Sequence, residues 1–221
     1  MDTQEVYKDL QIGNSRKLGF DNYIKYEIIK VLPKPNTTYV EDNAFMMNNY
    51  ITIIYFDDNI TEIGIHSFSG CHNIKKVYLP KNLKFLDICS FLNCTSLTLI
   101  VLYDKLCEIG NRCFQNCNKL KKIEIPNSVT TLGKHAFDNC LSLNEIKLSE
   151  NLNEIKAYTF LNCLNLRIIK IPKSVKKIAL NAFCGCKLDD IILPKHLAHL
   201  KEKLINYDKN NSDNDLNELF D

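Results

Sequence analysis

Residues Phe114–Ala136 read F-Q-N-C-N-K-L-K-K-I-E-I-P-N-S-V-T-T-L-G-K-H-A, and Phe137 starts the same phrase again. Working outward from this stretch, phenylalanine recurs every 23 residues at Phe45, Phe68, Phe91, Phe114, Phe137, Phe160 and Phe183. A fixed period of this length means one unit copied and stacked, so the chain is expected to form a solenoid. Inside the quoted unit, Leu120-x-x-Ile123-x-Ile125 alternates around Ile123 and stops at Pro126, which has no N–H to give to a ladder. That pattern predicts a strand over 121–125, repeated at 52–56, 75–79, 98–102, 144–148, 167–171 and 189–193. Val129-x-x-Leu132-Gly133 predicts a second, shorter extended segment, and Gly133 permits a turn. Phe-x-x-Cys is too short for an α-helix and predicts a 3₁₀ turn. Phe114, Cys117, Leu120, Ile123, Ile125, Val129 and Leu132 are the inward side chains of the coil. A single coil leaves its core edges and backbone groups open, which is why such units come in arrays.

The phrase L-x-x-I-x-L-P-x-x-V-x-x-I-G-x-x-A-F-x-x-C resembles the BspA-type leucine-rich repeats, from Phe45 to about Leu200. The resemblance implies a leucine-rich-repeat solenoid, β-dominated with little α-helix. Its parallel L-x-x-I-x-L strands would line the concave face of a curved right-handed superhelix. It also implies a role in binding proteins or surfaces rather than catalysis. The family occurs both on cell surfaces and inside cells.

Departures from the phrase mark the domain plan. Residues 1–44 read as an N-terminal cap and an imperfect first coil, which matches the pattern only with one extra residue between Pro33 and Phe45. Residues 45–200 form the repeat domain of seven 23-residue coils, the last of them one residue short. Residues 201–221 read as a C-terminal cap, with a short amphipathic helix at 201–205 and then an acidic tail expected to be disordered. From 206 to 221 there are five acids against one lysine. The end of that stretch, Asp215-Leu216-Asn217-Glu218-Leu219-Phe220, reads as a solvated tail, with an acidic docking peptide as the alternative.

Composition narrows the function. Net charge is +2, from 28 basic and 26 acidic residues in 221, so no overall field favours nucleic acid or an anionic membrane. The start of the sequence is polar and no apolar run is long enough to span a bilayer. The expected location is therefore cytoplasmic, with the plasma membrane or cell surface as the alternative. Six of the ten cysteines are locked to the repeat at Cys71, Cys94, Cys117, Cys140, Cys163 and Cys186, as a small buried apolar residue would be. In-register neighbours point their Cβ atoms the same way, which suits a disulfide poorly, so all ten are read as free thiols.

Strand residues flanking the central isoleucine point away from the core. They form two columns. The first is Ile53, Lys76, Leu99, Lys122, Glu145, Ile168 and Asp190; the second is Tyr55, Tyr78, Val101, Glu124, Lys147, Lys170 and Ile192. Lys122 with Glu145, and Glu124 with Lys147, are expected to pair across adjacent strands. In the N-terminal half, Ile53, Tyr55, Tyr78, Leu99 and Val101, with Tyr103 at the proline position, form an apolar and aromatic patch. Lys76, Lys122 and Glu124 border it. Such a patch is the expected protein-binding site, the alternatives being coverage by the N-terminal cap, coverage by self-association, or chance scatter of surface hydrophobics. The expected partner is a protein, narrowed by analogy to a signalling enzyme such as a phosphatase, with the chain a monomer or weak homodimer.

No enzyme is visible. His66, Cys89 and Arg112 share one repeat position and make the best thiol–base arrangement available, but nothing forms a cleft around them. Cys184, Cys186, His196 and His199 are zinc-type residues, yet Cys186 belongs to the buried ladder. No phosphate-binding glycine loop or nucleophile elbow occurs, and no cofactor or metal is expected.

Overall fold

The computed structural model describes the backbone of 8–12 and 28–33, and all of residues 38–207. The chain winds as a parallel β-solenoid of about seven turns. Each coil contributes a longer strand to one sheet and a two-residue strand to a second. The first sheet runs Lys8–Ile12, Ile28–Pro33, Ile53–Phe56, Lys76–Tyr78 and Leu99–Val101, all parallel. It continues along the solenoid as two further two-stranded ladders, Lys122–Glu124 with Glu145–Lys147 and Ile168–Lys170 with Asp190–Ile192. The second sheet joins Tyr39–Val40, Glu62–Ile63, Phe85–Leu86, Glu108–Ile109 and Thr131–Leu132, followed by the pair Glu154–Ile155 and Lys177–Ile178.

Register follows the period. Ile53, Lys76 and Leu99 are partners, as are Tyr55, Tyr78 and Val101. The short coil is also where the sequence places it, since Ile168 pairs with Asp190, a separation of 22. The N-terminal end differs from the expectation. Ile28 pairs with Ile53, a separation of 25, so two extra residues are accommodated rather than one. Val40 pairs with Ile63 at the regular 23, so the period is regular from there on.

The core is a set of files along the solenoid axis. The seven phenylalanines stack face to face, with centroids 4.8–5.9 Å apart and ring planes within 18°. Offset stacks of this kind add to the burial of large apolar side chains. The six ladder cysteines line up beside them, and each thiol donates to the carbonyl of the phenylalanine one coil back. Cys71 reaches Phe45 O at 3.0 Å and Cys186 reaches Phe160 O at 2.9 Å, with Cys94, Cys117, Cys140 and Cys163 between.

The segment around Phe-x-x-Cys is not the expected 3₁₀ turn. It is a run of bends in which two residues per coil are left-handed. One file is Asn43, His66, Cys89, Arg112, His135 and Tyr158; the other is Met47, Gly70, Asn93, Asn116, Asn139, Asn162 and Gly185. Asparagine and glycine suit the second file because they tolerate positive φ. The bends turn N–H groups toward the following coil: Phe68 N donates to Ser90 O at 2.8 Å and Gly70 N to Leu92 O at 2.7 Å. Sheet N–H groups donate backward, as Lys75 N does to Thr52 O at 2.7 Å. The last coil has no successor to accept forward bonds, and there the same stretch is a 3₁₀ turn at Leu180–Phe183. A second 3₁₀ turn, Lys195–Leu200, and the expected short helix, Lys201–Ile205, cover that coil and bury Leu197 and Leu204. The acidic tail lies outside the described residues.

Candidate functional site

The sheet of longer strands places all nine candidate residues on its outward face or rim. Ile54, Val77, Ile100 and Ile123 point inward and are buried, so their neighbours on each strand must face solvent. Tyr55 and Tyr78 lie ring on ring, centroids 4.6 Å apart and planes 1° apart. Leu99 and Val101, on the next strand, are 37% and 36% exposed. Ile53 and Tyr103 are half-buried at either side, and Lys76 is exposed between Ile53 and Leu99. The strands at 8–12 and 28–33 extend the sheet beside this patch, in its plane.

The neighbouring strands are charged and satisfied. Lys122 holds Glu145 at 2.5 Å, and Lys147 bonds Glu124 one position along. The bond that Lys122 donates to Glu145 raises the Lys122 pKa, and the bond from Lys147 lowers that of Glu124. All four side chains are largely exposed, so these pairs order the surface more than they hold the fold together. Lys122 and Glu124 therefore form the polar rim of the patch, and they are already paired.

On the second sheet, a groove of about 400 Å³ is lined by Glu62, Phe85, Glu108, Gly110, Gly133 and Lys156 among others. Phe85 sits in register between Glu62 and Glu108 and is 41% exposed. The groove contains neither a nucleophile nor a metal-ligand set.

The thiol–base file exists as a file but lacks the electrostatics of a nucleophile. His66, Cys89 and Arg112 share the same left-handed position. Burial raises the Cys89 pKa, and the lowering effect of Arg112 does not overcome it. Burial holds Cys71, Cys94, Cys117, Cys140 and Cys163 of the ladder further from ionisation, pushing Cys71 up to about 12. The zinc-type residues are not brought together. Cys186 donates to Phe160 O, His196 Nε2 lies 2.8 Å from Val175 O, and no cluster of three potential ligands occurs among the described residues.

Sequence reading missed one polar cluster. Arg112 Nη1 donates to Gln115 Oε1 at 3.3 Å, Gln115 Nε2 to Asp138 Oδ2 at 2.6 Å, and His135 Nδ1 meets the same oxygen at 3.0 Å. His135 stacks on Tyr158 at 4.9 Å. His135, Asp138 and Tyr158 are all buried, so the cluster ties adjacent coils together along the bend. The available signal was the 23-residue spacing of Gln115 and Asp138 combined with the i,i+3 spacing of His135 and Asp138.

Comparisons with known proteins agree with this geometry. A family model described as "BspA type Leucine rich repeat region" matches in six copies, over residues 11–98 and 87–212. No protein of curated function matches the sequence. Among solved structures, a leucine-rich repeat protein of T. pallidum, TpLRR, superposes with a TM-score of 0.74 at 26% identity, covering 89% of this chain and 88% of that one. A leucine-rich cell surface protein of Faecalibacterium prausnitzii superposes with a TM-score of 0.66 at 27% identity. That match covers 76% of this chain but only 47% of the other. A leucine-rich repeat protein of Bacteroides ovatus, at 23% identity and a TM-score of 0.64, shares the fold.

Proposed function

The chain belongs to the BspA-type leucine-rich repeat family, and from that premise we propose that it is a non-enzymatic scaffold gripping a protein partner on its concave sheet. One observation carries the reading. Tyr55, Tyr78, Leu99 and Val101 form a contiguous apolar and aromatic face, exposed at Leu99 and Val101, beside strands whose charges are already paired. Rigid aromatic area next to a polar rim is the make-up of a contact hot spot. The sheet holds both tyrosines by backbone register, so they need little ordering when a partner arrives.

The partner class we favour is a cytoplasmic signalling enzyme, a phosphatase being one example, and analogy with other repeat scaffolds is the only support for that narrower choice. A surface-binding role is the second reading. It is favoured by the printed description of the F. prausnitzii structure as a cell surface protein. An impermeant label applied to intact cells separates the two locations.

The binding face itself is tested by affinity capture with the wild type and a Tyr78→Ala/Leu99→Glu variant. Truncating a hot spot costs about 2 kcal/mol or more, so recovery of the partner should drop at least about tenfold. Equal recovery by both proteins removes this face from consideration. Leu99 is exposed and Tyr78 half-buried, and an unchanged melting temperature would confirm that the variant is folded.

A further inference from the structure

The charge of this molecule is unevenly distributed along its axis. Residues 167–207, the end of the solenoid, carry nine basic and three acidic side chains. Two of the acids are engaged locally, Asp189 with Arg167 at 3.8 Å and Asp190 with Lys201 at 2.7 Å. Lys170, Lys173 and Lys195 are exposed and make no ion pair among the described residues. Lys170 is the register partner of Ile192, and Lys173 and Lys195 follow the two adjacent strands at equivalent positions. Ile168 at 56% and Ile192 at 48% have the largest exposures of any described apolar residue on this sheet. The strip thus pairs unneutralised positive charge with uncovered apolar area.

Residues 208–221 have the opposite composition. Five acids face one lysine, and Asp215, Glu218 and Asp221 alternate with Leu216, Leu219 and Phe220. The segment also leaves the fold beside the strip. Helix Lys201–Ile205 packs on the strand Asp190–Ile192, Lys201 holds Asp190, and Tyr207 follows directly. Fourteen residues reach up to about 48 Å when extended, whereas neighbouring strands are only about 4.8 Å apart. A tether this short gives an effective concentration on the order of millimolar, so a weak contact would be populated within the molecule.

We propose that the acidic segment 208–221 folds back in cis onto the strip formed by Ile168, Lys170, Lys173, Ile192 and Lys195. Its apolar residues cover the two isoleucines and its carboxylates face the three lysines. This contact is independent of the partner face at Tyr55–Val101, which lies several coils away.

The chain contains no tryptophan, so Phe220→Trp in the full-length protein supplies a single indole reporter. At low ionic strength its emission should be blue-shifted, and its acrylamide quenching constant several-fold below that of the denatured protein. About 0.5 M salt should release much of that shielding, because exposed charge pairs are screened. Two variants carrying the same reporter, Lys170→Glu/Lys173→Glu and Asp215→Lys/Glu218→Lys, should each raise quenching toward the denatured value. The second alters only the segment and leaves the solenoid untouched. Tyr78→Ala/Leu99→Glu should leave shielding unchanged, which separates this contact from the partner face. An indole as accessible as in denaturant, or shielding indifferent to both charge reversals, overturns the proposal. Shielding that grows with protein concentration alongside a sedimenting dimer also overturns it, by assigning the contact to a second copy.

Discussion

Gly133 shows how closely adjacent coils approach. A methyl group at this position would fall against the backbone of Gly110 and Asn111, which cannot move aside as a flexible side chain would. Gly133→Ala should therefore lower stability by about 1–3 kcal/mol, the usual cost of overpacking, read as a shift in the urea midpoint with an unchanged m-value. The ladder cysteines obey a related constraint. Their position needs a small side chain, but it also faces a phenylalanine carbonyl one coil back, and a thiol can donate where alanine cannot. Recurrence alone identified these residues as small and buried. The donor role was invisible because the acceptor lies 26 residues away, in the preceding coil.

At the scale of the coil, strands and spine were legible and the bend was not. Strand positions follow from alternation and proline, and a strict period fixes their register once one pair is known. The bend depends on left-handed residues. Asparagine before the cysteine, at Asn93, Asn116, Asn139 and Asn162, was a readable signal for one of its two files. Apart from Asn43, the other file holds histidine, cysteine, arginine and tyrosine, of which only histidine is enriched at positive φ. Bonds to the next coil hold those residues there, as Arg112 N bonds Lys134 O at 2.9 Å. For the binding face, the two columns could be read from the sequence, and so could the ion pairs crossing them. The polar cluster at His135 and Asp138 escaped a coil-by-coil reading, because its link from Gln115 to Asp138 crosses between coils. The spine is the element whose loss should cost most. Phe114 is stacked on both sides, so Phe114→Ala should destabilise by about 3–5 kcal/mol in denaturant titration. Phe183, stacked only on Phe160 among the described residues, should cost less.

For the whole molecule, the thiols provide a pH signature. Burial raises Cys71 and Cys113 from 9.0 to about 12, and Cys94, Cys117, Cys140 and Cys163 are shifted the same way. The folded state therefore holds these protons more tightly than the unfolded chain. Their contribution is complete below about pH 9 and declines as pH rises toward 12. Denaturant midpoints measured from pH 7 to pH 11 should fall on the alkaline side, and less steeply in Cys113→Ala. With a thiol reagent the native protein should react first at Cys107, the one exposed cysteine, and reveal all ten only after denaturation.

The 3₁₀ turn at Leu180–Phe183 and the helix that follows bear on assembly. A stack of parallel strands is a template that another copy could continue, the route by which repeat arrays grow into fibres. Growth at the downstream face would need bend N–H groups offered to the carbonyls of an incoming coil, as Phe68 N is to Ser90 O, and an unobstructed strand beside Asp190–Ile192. The first are withdrawn into the self-bonded turn, and Leu204 and the Lys201–Asp190 pair obstruct the second. Polymerisation from that face is blocked by the protein's own backbone, whatever the fate of the segment beyond it.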